Sequence, residues 1–261
     1  MIVDMDKVAW LSKEEIQQKS MELLAEWNVF TGRRVDPPIA VEAIAEKYLD
    51  ICVEFDNLEE LLGIPDVLGA TWVEEKKMVI NSSLLEGSEG RISFTCSHEI
   101  GHWVLHRKYL NERFTRVERD PRMHTPTVVC RASASKVRGE WQADYFSGCL
   151  LMPRQAVEAA YREIFGPRPL VMYNERSCVN PRNPLVLDPA HDSAKEIARR
   201  VIEGGNFTNV SKEAMCFRLL DLGLLVDCAG RSLSESLEAR WRKGEGGRKG
   251  SSAGCVAKYT R

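Results

Sequence analysis

Ser97-His98-Glu99-Ile100-Gly101-His102-Trp103 lies within a run, Ser88–His106, that is apolar on most sides through Ile92, Phe94, Ile100, Trp103, Val104 and Leu105. A helix with no continuous polar face is usually a buried central one, so the spacing predicts a core helix carrying two histidines and a glutamate. Residues i and i+4 stand one above the other on a helix, so the imidazoles of His98 and His102 can converge on one Zn2+. Glu99 lies about 100° further round. From there it can reach a water at the metal without taking a coordination position, which suits a general base. Two structural histidines beside an incidental glutamate are the plain alternative, and the rest of the chain has to decide between them.

A catalytic zinc takes three protein ligands. The metzincin pattern needs a glycine and a histidine where this chain has Leu105 and Lys108, so that class is out. His106 lies one more turn along the same face. Three histidines stacked on a straight helix cannot all reach one metal, so His106 is read as structural. His124, in a basic segment, is a candidate substrate or transition-state contact, and His191 is read as incidental. The third ligand is read as Glu140, which opens the next apolar helix in Glu140-Trp141-Gln142-Ala143-Asp144. Stabilisation of the helix N-terminus accounts for Glu140 alone, at about 0.3–1 kcal/mol. Ligation accounts for Asp144 as well: one turn on, inside the apolar stretch, an unpartnered carboxylate is costly. There it can accept the free ring N–H of a ligating histidine and set its tautomer. Tyr145 and His124 are the candidates for stabilising the oxyanion opposite the metal.

Working outward, Ser12-Lys13-Glu14-Glu15 has the form of a capping box, followed by a helix to about Trp27. Pro37-Pro38 opens a second helix through Val41, Ile44, Ala45 and Tyr48. Ile51–Phe55, Leu68–Val73 and Lys77–Asn81 read as a small antiparallel sheet. Residues 107–139 read as irregular and basic, with nine Lys/Arg against three acids. Glu140–Leu151 is an apolar helix stopped by Pro153, and a surface helix follows from Gln155 to Phe165. Five of the chain's 11 prolines fall in 166–192, which marks an irregular connector. Ser193–Ile202 and Ser211–Leu220 then form a helix–turn–helix pattern. The tail after Gly230 is basic, Gly/Ser-rich and expected to be disordered.

The whole chain has 261 residues, 44% hydrophobic and 28% charged, with 36 Lys+Arg against 38 Asp+Glu. That is an ordinary globular composition with no global field to draw in nucleic acid. No stretch approaches the roughly 20 apolar residues of a membrane span, and the acidic N-terminus lacks the basic and apolar regions of a signal peptide. The expectation is a soluble, cytoplasmic protein. The eight cysteines contain no C-x-x-C pair and read as reduced, mostly buried thiols.

The set His98-Glu99-x-x-His102, Glu140-x-x-Ala143-Asp144-x-Phe146 and Leu150-Leu151-Met152-Pro153 resembles the ImmA/IrrE family of metallopeptidases. Val67-Leu68-Gly69-Ala70-Thr71, Val79-Ile80-Asn81-Ser82-Ser83, and Pro37-Pro38-Ile39 followed by Val41-Glu42-Ala43-Ile44-Ala45 fit it too. The likeness covers about residues 12 to 155 and more loosely reaches about 226. It implies an α+β fold with a compact thermolysin-like zincin core over 1–155. After that core comes a helical region with a helix–turn–helix-like pair over 156–230, then the tail 231–261. It implies Zn2+ on His98, His102 and Glu140, with Glu99 as the catalytic glutamate. It also implies a narrow substrate, a helix–turn–helix repressor cleaved to release mobile-element or stress genes. The rival readings are a non-catalytic regulator with zinc holding the fold, and a DNA-binding regulator. The latter is disfavoured because Ser211–Leu220 offers only Lys212 and Arg218 as basic side chains.

Overall fold

The computed structural model describes residues 4–87, 89–114, 126–131, 137–174, 177–179 and 194–227. These fall into two compact units. The first holds the described residues up to Val35 together with Ile39–Leu151, and the second holds Asp36–Pro38 and the described residues from Met152 on. Among the described residues no helix is long and apolar enough to cross a membrane.

In the first unit α1, Lys13–Thr31, starts at a complete capping box. The Glu15 amide donates to Ser12 Oγ at 3.2 Å, and the Ser12 amide donates to the Glu15 carboxylate at 2.7 Å. The helix runs past Trp27 because nothing breaks it before Gly32, which takes the left-handed conformation at φ 64°. The second helix begins only at Val41: α2, Val41–Ala43, widens into a π turn over Ile44–Tyr48.

All three expected strands form: β1, Cys52–Asp56; β2, Val67–Trp72; and β3, Lys77–Asn81. The sheet is nevertheless mixed rather than antiparallel, in the order β1-β3-β2-β4. Helix α3, Leu58–Leu62, carries the chain between β1 and β2, so β1 arrives parallel to β3 while β2 and β3 remain an antiparallel hairpin. The fourth strand, β4, Val128–Arg131, pairs antiparallel with β2 and comes from the segment expected to be irregular. Its Val128-Val129-Cys130 run is a short buried strand set among basic neighbours, and the charge of the segment hides it.

The sheet has two different faces, as strand alternation requires. Ala70, Trp72, Val79 and Val129 pack with Leu58 of α3. Gly69 and Thr71 face the other way, towards α4, Glu89–Phe114. That helix continues eight residues beyond His106, and its Leu110 is fully buried. α5, Arg138–Leu151, packs along α4, and Trp10 stacks on Trp141 at a centroid distance of 5.3 Å. Residues 115–125 and 132–136 of the basic segment lie outside the described residues.

The second unit is not wholly helical. α6, Arg154–Phe165, α7, Ala194–Gly204, and α8, Lys212–Asp221, are joined by a three-stranded sheet. In it β5, Leu170–Asn174, lies between β6, Ser177–Val179, and β7, Leu225–Asp227. Part of the proline-rich connector is thus structural, with Leu170 buried across from Leu225. Residues 180–193 and the tail 231–261 lie outside the described residues. Ser211 caps α8 by accepting from the Ala214 amide at 3.1 Å. Arg218 is buried, donating to the Met152 carbonyl at 3.0 Å and pairing with Asp221 at 3.2 Å. Of the two basic side chains noted on α8, only Lys212 is exposed.

Candidate metal centre

The close approach of α4 and α5 builds the site. Gly101 faces Ala143, and a Cβ at Gly101 would come within 3.1 Å of the Ala143 Cα. With the helix axes this near, His98 and His102 on α4 meet Glu140 and Asp144 on α5. His98 Nε2 lies 3.2 Å from one Glu140 carboxylate oxygen and His102 Nε2 lies 3.4 Å from the other. The two Nε2 atoms are 2.9 Å apart. All three residues are buried, and their donor atoms lie within 4.8 Å of one another, so the group can hold a metal ion.

The surrounding hydrogen bonds fix the state of both rings. Asp144 Oδ1 lies 2.9 Å from His98 Nδ1, so that nitrogen carries a proton and, in the neutral ring, Nε2 is left with its lone pair. The arrangement around His102 begins at Ala9, whose carbonyl only accepts. The Gln142 amide must donate to it through Nε2, at 3.0 Å, and so presents Oε1 to His106 Nε2 at 2.8 Å. His106 therefore carries its proton on Nε2 and accepts on Nδ1. Its neighbour 3.1 Å away, His102 Nδ1, must be the donor. With both rings neutral, the two Nε2 atoms would point lone pairs at each other and at a carboxylate, an arrangement that requires positive charge, a proton or a metal ion, in its midst.

The electrostatics agree. Burial pushes the Glu140 carboxyl up, but the His102 and His98 imidazoles outweigh it and hold it well below the usual carboxylate range. Burial lowers the His98 pKa, yet Cys130, Asp144 and Glu140 together raise it well above the usual imidazole value. His106 is the opposite case: burial, helped by His102, holds it at about 3, so it stays neutral.

Glu99 stands beside this cluster. Its Oε2 accepts a 2.5 Å hydrogen bond from Thr71 Oγ1 on β2, while its fully buried Oε1 has no hydrogen-bond partner among the described residues. Burial raises its pKa against the pull of His102, His98 and Thr71. Gly69 makes room for it, since a Cβ there would sit 2.6 Å from Glu99 Oε1. Cys130, across from Gly69 in the sheet, brings its sulfur within 4.8 Å of a His98 ring nitrogen and a Glu99 carboxylate oxygen. Burial pushes that thiol up to about 12.

The structure therefore brings His98, His102, Glu140, Asp144 and Glu99 together, and adds His106 as the partner that orients His102. Tyr145 packs elsewhere, stacked on Trp141 at 5.9 Å and under the Lys13 ammonium at 5.2 Å. His124 and His191 lie outside the described residues. Sequence reasoning missed Thr71, Gly69, Gln142 and Cys130. The first two belong to the Val67–Thr71 segment, and the alternation of β2, which turns Gly69 and Thr71 to one face, is the signal that could have found them. Compared with family models and with curated proteins, the chain matches none.

Proposed function

We propose that the chain is a zinc-dependent endopeptidase of the ImmA/IrrE kind, acting in the cytoplasm with its first unit as a compact thermolysin-like zincin core. Its substrate would be a helix–turn–helix repressor, cleaved to release mobile-element or stress genes. The substrate class comes from the resemblance of the motifs to that family. The observation that carries the chemical reading is the position of Glu99. It is a fully buried carboxylate, adjacent in sequence to His98, anchored by Thr71 through one oxygen and unpartnered at the other. A purely structural metal site has no use for such a base.

Two imidazoles and one carboxylate suit Zn2+, and His98, His102 and Glu140 would hold it. When bound, zinc polarises the scissile carbonyl and makes water acidic enough to lose a proton near pH ~7. Asp144 and His106 keep the two imidazoles in the tautomer that faces the site. Glu99 takes the proton of the attacking water and passes it to the leaving amine, so it ends the cycle ionised as it began. Thr71 fixes the rotation of that carboxylate throughout.

The test is Glu99→Gln, which keeps size and much of the hydrogen bonding but removes the base. The wild type should cut a co-expressed helix–turn–helix repressor encoded beside its gene. The variant should retain about one zinc per chain and leave the repressor whole. Equal derepression by both proteins, with the repressor full-length in each, would overturn the peptidase reading in favour of a non-catalytic regulator.

A further inference from the structure

We propose that Cys130 is a fourth protein ligand of the metal, closing the site in the resting chain. The inference rests on the metal reading of His98, His102 and Glu140 given above. In an antiparallel pair, residues directly opposite each other project to the same face of the sheet. Cys130 is opposite Gly69, and Gly69 faces Glu99 on α4. The cysteine side chain is thereby turned to the site, and its sulfur lies within 4.8 Å of donor atoms of both His98 and Glu99. A buried cysteine that merely fills space needs no pair of ligand atoms beside its sulfur; Cys96 has the sulfur of Met78 at 3.9 Å. Cys130 instead borders an imidazole and a carboxylate. Independently, the buried Glu99 Oε1 against Gly69 lacks any partner among the described residues. An acceptor so placed calls for a cation or a proton donor in the same space.

A thiolate there would complete a four-ligand set of two imidazoles, one carboxylate and one sulfur, the form of a closed site rather than an open catalytic one. Ligation would replace the thiol proton by the metal, with the proton released to solvent. The position a water needs would then be filled. Hydrolysis would begin only when Cys130 withdraws and its sulfur takes up a proton from solvent again. β4 can allow that movement because it is the edge strand, bonded to β2 alone within its sheet.

The experiment is cobalt substitution of the full chain without substrate, read by absorption spectroscopy. The wild type should bind about one Co2+ and show a thiolate-to-cobalt charge-transfer band in the near ultraviolet. Cys149→Ala should keep the band. Cys130→Ala should bind cobalt and lose the band, and added azide should then perturb its visible spectrum, as it does not in the wild type. X-ray absorption of the zinc-loaded wild type gives the same answer with no variant: one sulfur at about 2.3 Å from zinc is expected. Only nitrogen and oxygen neighbours, or a band that survives Cys130→Ala, would overturn the inference while leaving the metal reading intact. Failure to bind either metal would overturn both.

Discussion

Gly69 keeps its place because the Glu99 carboxylate fills the space a side chain would need. Gly69→Ala must push that carboxylate away from Thr71 and from the cluster. Displacing a catalytic group by about 1 Å can lose about a hundredfold in rate, so we expect a fall of that order in repressor cleavage with zinc content unchanged. Loss of zinc instead would mean that the sheet, rather than Glu99, had moved. His106 and Asp144 act on affinity. His106→Leu removes the acceptor that holds His102 in its tautomer, and Asp144→Ala removes the same support from His98. Each should weaken zinc binding by about 10–100-fold in a chelator competition, and an unchanged affinity would refute the orienting role. His106 also carries a pH signature. Its native pKa of about 3 lies below the unfolded value of about 6.5, so between these the unfolded chain binds more protons. The stability it contributes is complete above pH ~6.5 and is lost as pH falls through that window towards about 3. Metal-free His106→Gln should therefore show a shallower acid dependence of its denaturant midpoint over that range than the metal-free wild type.

Helices α4 and α5 show what the sequence could and could not say about elements. Their apolar periodicity and the i,i+4 placement of His98, His102, Glu140 and Asp144 gave both helices and every residue of the central cluster. Their contact was not readable, because it depends on Gly101 meeting Ala143 from another part of the chain. Gly101→Val should overpack that crossing, destabilising the fold by about 1–3 kcal/mol and weakening zinc binding, since ligands from both helices would separate. Unaltered affinity would show that the spacing is not set there. The relay from His102 to Ala9 was hidden for the same reason: it joins two helices and a backbone carbonyl through Gln142, whose type is unremarkable on a helix. β1 running parallel to β3 follows from the path through α3, which no local pattern encodes. β4 and β5 are short strands whose neighbours, basic in one case and proline-rich in the other, dominate any window broad enough to detect periodicity.

In the molecule as a whole, the candidate ligands belong to one unit only. His98 and Glu140 stand 42 residues apart in sequence yet meet in the first unit's interior, so a metal there ties α4 to α5 across the intervening β4. The second unit has its own buried core, with Tyr161, Ile197, Phe207 and Leu219 inside it, and none of the candidate ligands. A ligand that binds only the folded state stabilises it by an amount set by its concentration relative to Kd, about 2.7 kcal/mol at one hundred times Kd. Zinc should therefore raise the unfolding temperature of the first unit, which holds the ligands. Calorimetry of the full chain, zinc-loaded and after chelation, should show a transition that moves with zinc, with near-ultraviolet circular dichroism following it through Trp103 on α4 and Trp141 on α5. Asp144→Ala should shrink the shift at equal zinc concentration. A profile unmoved by zinc would remove the metal from the first unit, and with it the catalytic reading of Glu99.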